Sequence, residues 1–299
     1  MKNPILTVLF LHLVLISCFS QESRQYANKA DSSYYRKNYS LAIEYYKKAF
    51  SYNTANNAWY ENYSYSDKLA KLASCYAHLS IKDSALFYMN KAVDQGFILH
   101  SAFVSLGEYG ELINDPEWIR ISKKQDSLFC TRHKNIDLAI AMEVREMFKK
   151  DQYIRGYSIQ AIKLKKNKHI IDSIDYVAQI IDSINVKKLI RIMDEVGYPG
   201  TNIVSGECRD DAFFIIQHAS LEIQKKYLPD IIDAVENNQV SGITVAFLID
   251  RILISDGKKQ LYGTQYFLKD DGIQELAPVE DPVNLEKRRK EIGLTSEMF

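Results

Sequence analysis

Cysteine, proline and glycine are all scarce in this sequence: 4, 6 and 12 among 299 residues. So few turn formers argue against a turn-rich all-β architecture. Beyond residue 20 the cysteines are Cys75, Cys130 and Cys208, with no C-x-x-C pair and no histidine at metal-ligand spacing, so neither a zinc site nor a dense disulfide framework is expected. Cys75 lies in an apolar helical pattern and reads as a small core residue; a Cys130–Cys208 bridge stays open for an oxidising compartment. An excess of one charge is also missing. Lys+Arg and Asp+Glu both number 38, a formal net charge of zero, which excludes the basic surface of a nucleic-acid binder. The familiar catalytic signatures HExxH, GxSxG, the Walker loop and GxGxxG are absent, and no cofactor or metal is expected. What is abundant is tyrosine, 20 residues, as in helix pairs that pack through aromatics.

No apolar run reaches the roughly 20 residues that span a bilayer. The longest at the start is Ile5–Ile16, behind Lys2, which fits the core of a secretory signal. Leu15-Ile16-Ser17-Cys18 then resembles a bacterial lipobox, in which Cys18 is lipidated and anchors the protein to a membrane. Cleavage after Ser20 is the competing reading. Both imply export, to the periplasm or the cell envelope, and residues 1–20 are set aside from the fold.

The segment 21–130 carries a self-similarity. Ala42-Ile43-x-x-Tyr46-x-x-Ala49 recurs as Ala85-Leu86-x-x-Met89-x-x-Ala92, an offset of 43 residues. A further helical stretch precedes each: Ala27, Ala30 and Tyr34, then Leu69, Leu72, Ala73 and Tyr76. Small residues let paired helices approach, and aromatics fill the space beside them. The pattern resembles the tetratricopeptide repeat. The offset exceeds that family's period of about 34, and the polar, aromatic stretch Ser51–Ser66 reads as the long connection responsible. Phe97–Cys130, with Leu106, Tyr109, Leu112, Pro116 and Trp118, reads as capping helices. The resemblance implies protein partners, although an Ala/Tyr hairpin also serves as plain core packing.

The rest, 135–299, reads as a helical domain with a small β-hairpin, so the whole chain is expected to be mainly α. Ile136–Lys150 is amphipathic. Lys163–Lys168 (KLKKNK) is a basic run, read as a solvated loop or helix end, with a phosphate or membrane-surface role as the alternative. Asn185 reads as an N-cap for a helix that stops at Gly197, with Pro199 beyond. Asp211–Ala219, Leu221–Glu236 and Gly242–Ser255 read as helices, Gln260–Leu268 and Gly272–Leu276 as a hairpin, and Asn284–Ile292 as a last charged helix.

Two polar interruptions stand out. Gln217-His218 ends an apolar run, and Asp250-Arg251 sits inside Val245–Ile254. Neighbours on a helix point about 100° apart, so Asp250 and Arg251 need partners from elsewhere. Asp151, Arg155, His218, Arg288 and the polar stretch Gln260–Gln265 are the candidates. Gly263 there lets a backbone or ligand come close.

The stretch from about Asp151 onwards resembles the domain-of-unknown-function family numbered 6624, whose pattern runs D-Q-x-x-R, D-x-x-N, G-W-P, Q-H-A-D, D-R, Q-x-Y-G-T-Q and R-R before G-L. The matches are Asp151-Gln152 with Arg155, Asp182 with Asn185, Gly197-Tyr198-Pro199, and Gln217-His218-Ala219. They continue with Asp250-Arg251, Gln260-x-Tyr262-Gly263-Thr264-Gln265, Arg288-Arg289 and Gly293-Leu294. Tyr198 replaces the usual Trp and Ser220 the usual Asp. The resemblance implies domain and site residues, not a chemistry. His218 and Asp250 are the candidate acid–base residues, and Asp151, Arg155, Gln217, Arg251, Gln260, Tyr262, Thr264 and Gln265 the candidate binding residues.

Two functions follow. One is a non-catalytic envelope protein whose repeat-like half binds proteins and whose C-terminal domain is organised around a polar cleft. The other is a hydrolase-type enzyme with His218, Asp250 and Arg251 in that cleft. Convergence of these groups with Gln265 on an open cavity favours the enzyme; full burial and mutual satisfaction favour the scaffold.

Overall fold

A computed structural model describes residues 21–52, 64–97, 109, 112, 114–268 and 274–294. Residues 1–20 with Cys18, most of Ser51–Ser66, part of Phe97–Cys130 and the start of Gly272–Leu276 lie outside these residues. The protein is mainly α, with one small antiparallel hairpin near the C-terminus. It divides into two compact units between Thr131 and Arg132. No helix among the described residues is long and apolar enough to cross a membrane.

The first unit is built from helical hairpins: α1 (21–35) with α2 (Tyr39–Ser51), then α3 (Ser64–His78) with α4 (Lys82–Asp94). The small and aromatic positions read from the sequence are its core. Ala30, Tyr34, Ala42, Tyr46, Leu72, Cys75, Tyr76 and Ala85 form one buried cluster. Polar ties fix the pairs. The Ser23 hydroxyl donates to the Ala49 carbonyl across α1 and α2 at 2.9 Å. The Tyr46 hydroxyl donates to Asp31 Oδ1 at 2.6 Å, and Lys68 pairs with the same carboxylate. Then α5 (Pro116–Arg132) buries Trp118, Ile121 and Phe129, with Tyr109 against Trp118.

The second unit is organised on a long hairpin, α6 (Leu138–Lys163) and α7 (Lys168–Val196). Asp137 and Asn167 cap these helices, each accepting from the third residue on, at 3.0 Å. Asn185 is not an N-cap. It is buried mid-way along α7, and its Nδ2 donates to the Met147 carbonyl of α6 at 3.0 Å. A polar residue that can cap a helix can equally bolt two together, and sequence alone does not separate these uses. Gly197 does end α7, at φ +78.

Short α8 (Asp211–Ile216) packs on both arms of the hairpin, followed by α9 (Leu221–Glu236) and α10 (Gly242–Ser255). Strands β1 (Tyr266–Leu268) and β2 (Gln274–Leu276) pair with Phe267 opposite Glu275, and α11 (Leu285–Glu291) closes the unit. Gln260–Gln265 is a loop rather than strand, for a reason given below. Cys75, Cys130 and Cys208 are free thiols, so the Cys130–Cys208 bridge is not formed. Cys208 instead lies beside the buried guanidinium of Arg145, 3.5 Å from Nη1. Burial first, and Asp211 second, push its thiol up to about 12, which leaves it inert.

Candidate active site

The polar interruptions resolve into two separate constellations. The first is a lock. Asp250 is fully buried on α10, and its carboxylate gathers the loop that follows. Oδ1 accepts from the main-chain N–H of Leu261 at 2.7 Å and of Tyr262 at 3.0 Å. Oδ2 accepts from the Thr264 N–H at 3.0 Å and hydroxyl at 2.9 Å. These N–H groups cannot also serve a β-ladder, which is why the stretch is a loop.

Gln260, also fully buried, closes the loop's far side. Its Nε2 donates to the Gln265 and Ala277 carbonyls, and its Oε1 accepts from the Gln265 N–H. From α11, Arg288 Nε donates to the Leu261 carbonyl, and Arg289 donates to the carbonyls of Tyr262 and Gly263. Gly263 has φ +68, and a Cβ there would stand 2.8 Å from Arg289 Nη2. The close approach that Gly263 permits is thus that of a guanidinium of the same chain. Gln265 Nε2 reaches Thr264 Oγ1 at 3.0 Å and the Phe247 carbonyl at 3.4 Å. Asp250, Gln260, Tyr262, Thr264 and Gln265 are spent on one another.

The second constellation lies half-way along the α6–α7 hairpin. Asp151 and Arg155 are one turn apart on α6, Asp182 faces them from α7, and His218 comes from the turn after α8. His218 Nδ1 is 3.0 Å from Asp151 Oδ1 and 3.0 Å from Arg155 Nε. Arg155 Nη2 bridges Asp151 Oδ1 at 3.1 Å and Asp182 Oδ1 at 2.7 Å. Gln152 Nε2 donates to Asp151 Oδ2 at 2.7 Å. The expected convergence of His218, Asp250, Arg251 and Gln265 is not formed: of the four only His218 lines this site, Asp250 and Gln265 belong to the buried lock, and the acid beside His218 is Asp151.

Nδ1 can donate to Asp151 or accept from Arg155, not both. Arg155 Nε already reaches Asp151 Oδ1 at 3.2 Å. The buried Asp151 carboxylate gains a charge-assisted bond if His218 donates, so we assign the Nδ1 proton to the His218–Asp151 bond. Nε2 of His218 has no hydrogen-bond partner among the described residues.

His218 and Asp182 line a cavity of about 340 Å³, bounded also by Ser183, Val186, Lys187 and Ile190 of α7 and Ser220 and Ile223 of α9. Burial, partly offset by Arg155, raises the Asp182 carboxyl above its usual 3.8. Gln224, buried on α9, steadies the turn that carries His218 by donating to the carbonyls of Gln217 and Ala219. Gln217 itself contributes through its main chain. Ser220 caps α9, accepting from the Ile223 N–H at 3.4 Å. Aspartate caps helices equally well, so the change at this position leaves the acid beside His218 untouched.

Arg251 is half-buried and has no hydrogen bond or ion pair among the described residues. Burial, and then the positive charge of Arg155, lower its guanidinium from the ordinary range. Asp182 and Gln224 were not legible as site residues: the first appears only within the D-x-x-N motif, and the second has no motif at all. Ligand atoms of Asp151, Asp182 and His218 lie within 4.8 Å of one another, a set able to hold a metal ion. The Arg155 guanidinium already supplies positive charge to both carboxylates.

A mainly α domain, with a histidine–aspartate pair at mid-hairpin and a separate carboxylate-locked loop, is the class of protein these features define. Residues 139–298 match the family of unknown function DUF6624, and the chain belongs to that family. No curated protein and no solved structure matches.

Proposed function

We propose that the C-terminal unit is an acid–base enzyme of hydrolase type acting on an anionic substrate. The observation that carries this is the His218 ring. Its Nδ1 is held by buried Asp151, while its Nε2 is unengaged at the wall of the 340 Å³ cavity. In this reading His218 Nε2 takes a proton from a water as it adds to the substrate, and Asp151 orients the ring and stabilises its charged form. The His218 imidazolium then returns that proton to the leaving group. Lys187 on the cavity wall, with Arg155 beside the two carboxylates, provides the positive potential that an anion needs.

A panel of chromogenic phosphate, carboxylic-ester and peptide substrates, assayed with wild type, His218→Gln and Lys187→Met, tests this. The reading expects turnover on an anionic member of the panel, reduced 10²–10⁴-fold (about the range for a general base) by His218→Gln. Lys187→Met should act mainly through KM. Turnover unchanged by His218→Gln would overturn it. A second reading, a divalent ion held by Asp151, Asp182 and His218, is favoured by the proximity of their ligand atoms. Calorimetric titration with zinc and manganese decides between the two.

For the first unit we propose a tetratricopeptide-like module that binds a protein partner. Burial of the recurring Ala42, Tyr46, Ala49, Ala85, Met89 and Ala92 supports it. For the chain as a whole we propose export to the cell envelope, on the strength of the Lys2 start and the Ile5–Ile16 run. Mass spectrometry of the mature N-terminus tests this: a diacylglyceryl group on Cys18 selects anchoring, Gln21 selects a soluble form, and a retained Met1 refutes export.

A further inference from the structure

The outer end of the α6–α7 hairpin takes no part in the His218 site, and its composition is unlike the rest of the chain. The turn and its flanks, residues 159–171, contain Lys163, Lys165, Lys166, Lys168 and His169 but no aspartate or glutamate; the first acids, Asp172 and Asp175, stand further down α7, Asp175 level with Ser158. Lys165, Lys166, Lys168 and His169 are exposed.

The same tip also exposes aliphatic side chains. Leu164 is 60% and Ile162 57% accessible, and Ile159 and Ile170 are nearly half so. These are not needed to hold the hairpin together, because Ile154, Ala161, Ile174 and Ala178 already form its core. A groove of about 520 Å³, walled by Tyr157, Ile170 and Val177 with His169 beside them, adds further uncovered apolar surface. The turn is well formed: Lys165 N–H donates to the Ile162 carbonyl at 2.9 Å and Lys166 N–H to Ala161 at 3.0 Å.

We propose that this hairpin tip docks on an anionic lipid bilayer, with Ile162 and Leu164 entering the interface and Lys165, Lys166 and Lys168 meeting the headgroup phosphates. The end of a two-helix hairpin is convex. Aliphatic side chains at its apex and a collar of cations suit a deformable, negatively charged surface. A second copy of the chain presents the same positive charge and repels. Leu164 lies nine residues beyond Arg155, about 14 Å along the helix at 1.5 Å per residue, so docking leaves the His218 cavity close to the membrane but outside it. The inference does not depend on the catalytic reading.

The test is co-sedimentation of the full chain with vesicles of phosphatidylglycerol and phosphatidylcholine, and with vesicles of phosphatidylcholine alone, at low and high salt. Three proteins are compared: wild type, the triple variant Lys165→Glu/Lys166→Glu/Lys168→Glu, and Leu164→Asp. The apolar N-terminal run is common to all three and cancels in the comparison. The substituted side chains are exposed, and circular dichroism checks that all three are folded. The proposal expects phosphatidylglycerol-dependent, salt-sensitive binding that the triple variant weakens at least about a hundredfold, at about a factor of five per lysine charge lost and more for each reversal. Leu164→Asp should weaken it as well. Equal partition of wild type into both vesicle types overturns the proposal, as does wild-type binding by both variants. So does the finding, by analytical ultracentrifugation, that Leu164→Asp merely converts a dimer to a monomer while vesicles bind none of the three.

Discussion

Asp250 and Arg251 are adjacent in sequence and opposite in fate. Asp250 lies within a shell of N–H and O–H donors, so removing it strands the buried main-chain donor of Thr264 and the part-buried ones of Leu261 and Tyr262. Asp250→Leu should cost about 3–5 kcal/mol in urea unfolding of the C-terminal unit. Arg251 holds no carboxylate, and folding already disfavours its charge. Arg251→Met should change stability by less than about 1 kcal/mol. The double variant should be no more stable than Asp250→Leu alone; recovery in the double variant would mean that the two charges compensate each other after all. An acid and a base within an apolar run were legible as an anomaly that needed partners from elsewhere. Which partners was not legible. The donors that satisfy Asp250 are main-chain groups of Leu261, Tyr262 and Thr264, and every residue type except proline offers the same N–H.

At the scale of elements, helix existence was readable from period and punctuation, and α9 and α10 occupy the spans that Leu221–Glu236 and Gly242–Ser255 suggested. Long α7 was misread because Asn185 carries a capping side chain inside an apolar-periodic stretch. Its amide is used sideways, on α6. Asn185→Leu should therefore lower stability by about 1–3 kcal/mol, leaving a buried carbonyl with one acceptor site empty, and should not shorten α7. Helical content from circular dichroism, measured beside the unfolding curve, checks both parts. The loop after α10 was misread as strand for the complementary reason: its alternation is real, but a carboxylate takes the N–H groups. Gly263 is the residue on which this loop turns. Gly263→Ala places a Cβ at φ +68 against Arg289, a cost of about 1–3 kcal/mol in unfolding, whereas Ala substitution at exposed Gly206, with open space around its Cα, should be nearly neutral.

For the whole molecule, each unit carries a half-buried aspartate, and folding shifts the two in opposite directions. Burial alone would raise the Asp31 carboxyl; hydrogen bonds from Lys68 and Tyr46 and the charge of Lys71 outweigh it and hold the group below 3.8. A lowered carboxyl stabilises the fold above 3.8 and loses that contribution as pH falls through its folded value. Asp182 is raised, so its contribution is complete at acid pH and is lost as pH rises through its folded value. Calorimetry between pH 3 and pH 7 should show the first unit losing stability on acidification, with Asp31→Asn flattening that dependence. Asp182→Asn should flatten the rise on acidification that its own group contributes to the second unit. The motifs of the C-terminal half divide in the same physical way. Asp250, the Gln260–Gln265 loop and the two arginines of α11 build the domain, while Asp151 and Arg155 hold His218 and Asp182 at the wall of a cavity. That division rests on the ring of His218, because a histidine that only accepts from Arg155 at Nδ1 would be one more strut. Long-range proton–nitrogen correlation of the His218 ring, at a pH where it is neutral, reads this directly. The account predicts a proton on Nδ1, held against Asp151, and a bare Nε2 facing the cavity. A proton on Nε2, with Nδ1 accepting from Arg155, would contradict it.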